Sequence, residues 1–243
     1  MRLENVIIDA RDCLALADFW SQVLRWEKVV HDDGEVCVTA PGGDVNDPST
    51  WPFPDLMFEQ VDDPAAGRSR VHLDLASGSV EEQHATVQRL LALGATLADV
   101  GQPADAPFTV MADPEGNHFC VLDPREEYAD VGSLAAVVLA TEGAGALRDF
   151  WATATGWDLV REGPDVVVIR DPRGTGPSLE LITRDGLDPD DTRKNRIHLD
   201  VAPGEADDQD TRVDQLLALG ATRVDVGQGP DVTWAVLADP EGN

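Results

Sequence analysis

The chain repeats itself, and the repeat restricts the fold more than any other feature. RVHLDLASG at 70–78 returns as RIHLDVAPG at 196–204, LLALGAT at 90–96 returns at 216–222, and DVGQ at 99–102 returns at 225–228. ADPEGN at 112–117 closes the series by returning at 238–243, and the spacing is 126 residues throughout. Upstream the copies are looser: DFW at 18–20 matches DFW at 149–151, and Trp26 matches Trp157, now 131 residues apart. The first copy therefore carries extra residues, which fit best in APGGDVNDPSTWPFP at 40–54, a Gly/Pro/Asp-rich stretch whose shorter counterpart is DPRGTGP. A long self-similarity of this kind sets the architecture before any single residue is considered.

Within each copy the periodicity resolves into short elements. ENVIIDA reads as a strand, and Asp12 is placed to cap a helix over CLALADFWSQVL that turns Leu16, Phe19, Trp20 and Val23 to one side. Strands follow at WEKVVHD, EVCVTA and DLMFEQV. The order then restarts with RVHLDLA, a helix opened by the capping box Ser79-x-x-Glu82 and closed at Gly94, and strands at TLADV, FTVMAD and HFCVLD. Each half is thus βαβββ twice, an α+β pattern, except that the last unit reaches DPEGN without a closing strand. The halves divide as 1–124 and 133–243, with the polar stretch at 125–132 as the linker.

The alternation in RVHLDL puts Arg70, His72 and Asp74 on one side of a strand, and Val71, Leu73 and Leu75 on the other. The second copy does the same with Arg196, His198 and Asp200. An apolar side must pack against the rest of the fold, which leaves the ionisable side to line a cavity. Residues two apart on a strand share a face, so each His-x-Asp can be an orienting pair or can contact a polar ligand. Trp20 and Trp151 fall on apolar helix faces and read as core, whereas Trp51 in the longer loop reads as a lid. DPEGN reads as a tight turn before a strand.

These units, with the FW…GW passage, the HLD strand and the DPEGN turn, resemble the vicinal oxygen chelate superfamily, and more narrowly its glyoxalase-like domains in tandem. The resemblance covers nearly the whole chain and implies paired βαβββ modules forming open glyoxalase-like barrels, two such domains in tandem. It extends to bleomycin-resistance and dioxygenase types, so it is specific for fold and weak for activity. In metal-dependent members four inward-facing residues, usually His and Glu, hold iron, nickel, manganese or zinc and leave two positions open for adjacent substrate oxygens. Carried over, the first half offers Asn5, Met57, His72 and Cys120, of which only His72 is a standard ligand, with Glu59 and His118 within reach of a rearranged site. The second half offers Glu180 and His198 but Ala136 on its opening strand.

Two functions fit. The eroded ligand set favours a small-molecule binding protein that holds its ligand in the barrel cavity, with Arg70, His72, Asp74, Arg196, His198, Asp200 and Trp51 as ligand contacts. The alternative is a metal-dependent lyase, isomerase or dioxygenase using His72, or Glu180 with His198. The family also pairs modules between chains, so a homodimer is compatible with the pattern.

Bulk properties exclude other classes. The 243 residues carry 18 Lys and Arg against 46 Asp and Glu, a net charge of −28. Such a surface lacks the basic footprint of a nucleic-acid binder, disfavours anionic membranes and steers cations inward. No apolar run is long enough for a membrane span, and the start lacks a leader pattern. Cys13, Cys37 and Cys120 are odd in number without a CxxC, which suits reduced thiols in a cytoplasmic setting. GxSxG, HExxH, P-loop and GxGxxG patterns are missing.

Overall fold

The computed structural model describes residues 1–42, 54–64, 69–188, 191, 193–204, 206–229 and 231–243. The loop with Trp51, expected to act as a lid, lies outside the described residues. The first module comprises β1 (Arg2–Ala10), α1 (Cys13–Leu24), β2 (Glu27–Val30), β3 (Val36–Thr39) and β4 (Asp55–Gln60). The second comprises β5 (Val71–Leu75), α2 (Val80–Ala92), β6 (Thr96–Leu97), β7 (Phe108–Ala112) and β8 (His118–Leu122). The third comprises β9 (Leu134–Thr141), α3 (Ala144–Thr155), β10 (Asp158–Glu162), β11 (Val166–Arg170) and β12 (Ser178–Thr183). In the fourth are β13 (Ile197–Ala202), α4 (Gln209–Ala218), β14 (Thr222–Arg223) and β15 (Leu237–Ala238).

The expected caps are in place. Asp12 accepts the Ala15 amide at 3.0 Å and Ser79 accepts the Glu82 amide at 3.1 Å. The return half of the capping box lands one residue early, because the Glu82 carboxylate accepts the Gly78 amide at 2.8 Å. At matching positions after α1 and α3 the chain turns left-handed, with Arg25 at φ 59° and Gly156 at φ 70°. Only the second needs glycine for space, because a Cβ on Gly156 would clash with the Met1 carbonyl.

The strands pair modules across the halves. β5 runs antiparallel to β9, which joins the second and third modules in an eight-stranded sheet ordered β10-β11-β12-β9-β5-β8-β7-β6. β1 runs antiparallel to β13, which joins the first and fourth modules in a five-stranded sheet ordered β13-β1-β4-β3-β2. The architecture is the expected pair of open half-barrels, but the expectation that each half completes its own is corrected. The linker carries the chain from β8 past β5 to β9, so β5 lies between them, parallel to β8 and antiparallel to β9, which is buried throughout. Ligand positions must accordingly be regrouped, first module with fourth and second with third.

Each sheet buries its apolar side. Val71, Leu73, Val137, Leu139, Leu179, Leu181 and Phe119 join Trp20, Phe19, Trp151 and Phe150 from α1 and α3 in one core. Trp20 meets Phe119 of the second module edge-on, with centroids 5.2 Å apart.

The DPEGN turns hold the helices of neighbouring modules, a role beyond the tight turn that the sequence suggests. Asp113 accepts the Trp20 indole N–H at 3.1 Å and the amides of Glu115 and Asn117 at 3.0 and 2.9 Å. Glu115 then accepts the amides of Arg11 and Asp12 at 2.7 and 2.9 Å, at the open end of α1, where a negative charge complements the helix dipole. The second copy repeats the arrangement: Asp239 accepts the Trp151 indole, and Glu241 accepts the amides of Glu142 and Gly143.

Candidate functional site

Both sheets present a polar concave side, and strand register fixes what lies on each. On the eight-stranded sheet Glu180 stands beside Val138, which stands beside His72. One step along, Ser178, Ala136, Asp74 and Cys120 form a second row. His72 Nε2 lies 3.4 Å from Asp74 Oδ1, and one ligand atom from each of His72, Asp74 and Cys120 falls within 4.8 Å of the others. Burial, with the neighbouring Asp74 charge, pushes the Cys120 thiol well above its ordinary value. His118 is pulled down by burial, with Arg196 and His72 adding repulsion.

The linker closes part of this face. Residues 126–128 form one 3-10 turn that delivers the Tyr128 hydroxyl to Glu180 Oε1, a donated hydrogen bond of 2.6 Å, while Ser178 Oγ donates to the same oxygen at 3.0 Å. Tyr128, Val131 and Ala135 pack with Val110, Cys120 and Leu122 in a separate apolar cluster. Burial and the Glu180 carboxylate raise the phenol far above its usual range, so it stays a donor.

The five-stranded sheet is different in kind. His198, Ile7, Met57 and Cys37 share one row, and Asp200, Asn5 and Asp55 share the next. Asp9 and Glu59 are paired one step farther out, and the Lys194 ammonium donates to them at 2.9 and 2.8 Å. Burial raises Asp9 in spite of Lys194, whereas in Glu59 the effect of burial is outweighed by Lys194 and the carboxyl falls. Burial takes Asp55 up to about 7, and desolvation with the Glu4 and Glu59 charges takes the more exposed Asp200 to about 6. His198 drops to about 4, through burial and then the Lys194 charge, and is neutral at pH 7. Asp55 Oδ1 and His198 Nδ1 are buried without a hydrogen-bond partner among the described residues. A hollow of about 490 Å³ between β3, β4 and the start of α1 touches these rows through Glu59 alone.

Of the residues singled out in the sequence, His72 with Asp74, and His198 with Asp200, do line concave faces, on different sheets. The two arginines are engaged by the protein itself. Arg196 is 8% exposed and donates to the carbonyls of Glu115 and Gly116 at 2.8 and 3.4 Å. Arg70 is 4% exposed, donates to the Asp188 carbonyl at 2.9 Å and lies 3.9 Å from Glu241. Asp9, Asp55, Tyr128 and Lys194 were not foreseen. Alternation along β1 and β4 marks Asp9 and Asp55 for the polar side, but nothing local marks Lys194.

A four-ligand metal of the kind the resemblance implies does not fit these residues. On the eight-stranded sheet the four positions hold His72, Cys120, Glu180 and Ala136: the alanine has no donor atom, and Glu180 is engaged by Tyr128 and Ser178. On the other sheet they hold Asn5, Met57 and His198, with no strand beyond β13 among the described residues. The nearby Asp9, Glu59 and His198 cluster already contains the Lys194 ammonium.

Paired βαβββ half-barrels with their chemistry on the concave side are the architecture of the vicinal oxygen chelate superfamily. A family model described as a glyoxalase-like domain matches residues 5–122 and again 136–243, and the chain belongs to that family. No curated protein matches it in sequence. Among solved structures it is similar to glyoxalase I from Zea mays, at 17% identity and a TM-score of 0.65 over 98% of this chain and 89% of that one. It is also similar to a protein provisionally assigned as a dioxygenase from Bacillus subtilis subsp. subtilis str. 168, at 14% identity and a TM-score of 0.59 over 93% and 79%. At such identities the likeness carries the fold alone.

Proposed function

We propose that this chain is a small-molecule binding protein that takes a polar, positively charged ligand on the concave side of the five-stranded sheet, without the four-ligand metal set of its superfamily. The observation that carries this reading is the pair of buried, unpartnered atoms there, Asp55 Oδ1 and His198 Nδ1. An unsatisfied buried polar group costs about 1–3 kcal/mol, which a ligand donor would recover. Lys194 supplies the precedent for the charge, since the cation this face already holds is an alkylammonium. The net charge of −28 also favours approach of a cation. Both sheets join modules from the two halves of one chain, so the reading uses residues of this chain alone. It fits a cytoplasmic setting, and no described helix is long and apolar enough to cross a membrane.

The test is a melting-temperature screen at pH 8 with matched cationic, neutral and anionic small molecules, repeated on Asp55→Asn and Asp200→Asn. Cations should stabilise the native chain and lose most of that effect in the variants, as binding to the folded state alone requires. Absence of any cation-specific shift, or a shift that survives both substitutions, would refute the assignment.

A further inference from the structure

We propose that Arg184, Arg196 and His118 form a site for a small oxyanion, the carboxylate or phosphate group of a ligand, at the end of the eight-stranded sheet where the second module meets the fourth. It shares no residue with the proposed cation face, so either can fail alone.

The fold brings the three together from separate modules. His118 opens β8, which runs beside β5, and its side chain is exposed. Arg196 stands just before β13 and crosses to the turn that leads into β8, where it donates to the carbonyls of Glu115 and Gly116. From the other side comes the segment after β12. It begins with Arg184, whose amide bonds the Thr141 carbonyl, and it folds over the start of β5, where the Asp188 carbonyl accepts from Arg70. Arg196 and Arg184 both bring positive charge to the His118 ring.

Charge sets this place apart from the rest of the surface. Arg125, Arg148, Arg173 and Arg212 each hold a carboxylate within 3.0 Å. Arg184 and Arg196 form no ion pair among the described residues, in a chain with 46 acids. Arg196 is 8% exposed; its carbonyl acceptors satisfy hydrogen bonds without cancelling charge, and its Nε has no acceptor. A buried charge without a counter-charge is costly, and a bound anion removes that cost. The acids nearby are committed elsewhere. Lys194 holds Asp9, Asp113 accepts from Trp20 and Asn117, and the Glu115 carboxylate accepts the Arg11 and Asp12 amides. Arg184 and His118 are exposed and have N–H groups to donate, and a guanidinium fork matches carboxylate and phosphate oxygens alike. The net charge of −28 opposes an anion at long range, but salt screens it beyond about 8 Å, which leaves the local groups to decide.

The experiment is a titration of the full chain at pH 7 and constant ionic strength with inorganic phosphate and, separately, with acetate. Binding is read from the imidazole resonances of His118 and from the melting temperature. We expect saturable shifts, and the tighter of the two anions names the group. Arg184→Gln should weaken binding about three- to tenfold, as loss of an exposed charge-assisted contact does. His118→Gln should weaken it as well, read by melting temperature. Both side chains are exposed, so the fold is not at stake. Arg148→Gln, a surface arginine already paired with acids, and Asp55→Asn on the cation face should leave anion binding unchanged. Failure of both anions to give a saturable response would overturn the proposal. Full binding by Arg184→Gln, or an equal loss from Arg148→Gln, would do the same.

Discussion

The two concave faces grew from the same module yet solve the problem of buried charge in opposite ways. On the eight-stranded sheet the carboxylate of Glu180 is covered by a phenol from the linker, and apolar side chains fill in around it. On the five-stranded sheet one lysine meets Asp9 and Glu59, and burial takes Asp55 up to about 7. A duplicated scaffold thus yields one face partly covered by its own linker and one whose carboxylates are met by a lysine. The difference comes partly from side chains and partly from backbone, because β14 and β15 of the fourth module pair apart from the five-stranded sheet.

Three substitutions probe that contrast, in falling order of expected effect. Tyr128→Ala removes a buried aromatic and the donor to Glu180 and should cost about 3–5 kcal/mol in chemical denaturation. A cost below about 1 kcal/mol would mean that the linker does not seal this face. Asp55→Asn tests the open face through pH. A carboxyl whose value rises from 3.8 to about 7 on folding keeps its proton where the unfolded chain has released it, so stability falls as pH climbs through that window. Each unit is worth on the order of 1.4 kcal/mol, and the asparagine variant should gain about 2–4 kcal/mol at pH 8 and lose that slope. His198 acts in the opposite sense, adding stability as pH rises from about 4 to 6.5, so variant and native chains must be compared at each pH. Lys194→Met leaves the buried Asp9 and the exposed Glu59 without their cation. After discounting for solvent at Glu59 it should cost about 1–2 kcal/mol, read from the same denaturation curves.

Much of this molecule could be read from its sequence, because repeats and periodicity are local. Helix α1 begins and ends where the Asp12 cap and the apolar stripe place it, and His-x-Asp faces a concave surface in both copies. Strand partners could not be read, since β1 has the same apolar alternation whether it pairs with β5 or with β13. The misgrouping of ligand positions followed from that. Arg70 and Arg196 stand just before the strands that carry His72 and His198, and only the fold shows that the DPEGN turns of other modules engage them. Tyr128 sits in a polar linker where nothing nearby signals a buried hydroxyl, and Lys194 reaches Asp9 from 185 residues away.

Pairing the first module with the fourth also bears on how the chain is made. Arg2 sits opposite Ala202, so the opening strand cannot gain its antiparallel neighbour until some two hundred residues have left the ribosome. The eight-stranded sheet lies wholly between residues 71 and 183 and can assemble while synthesis continues. Loop closure over such a distance adds only slowly to the entropic cost, but distant contacts slow folding. β1 is thus joined in two stages: it can lie beside β4 as soon as Asp55–Gln60 has been made, while its other edge waits for β13.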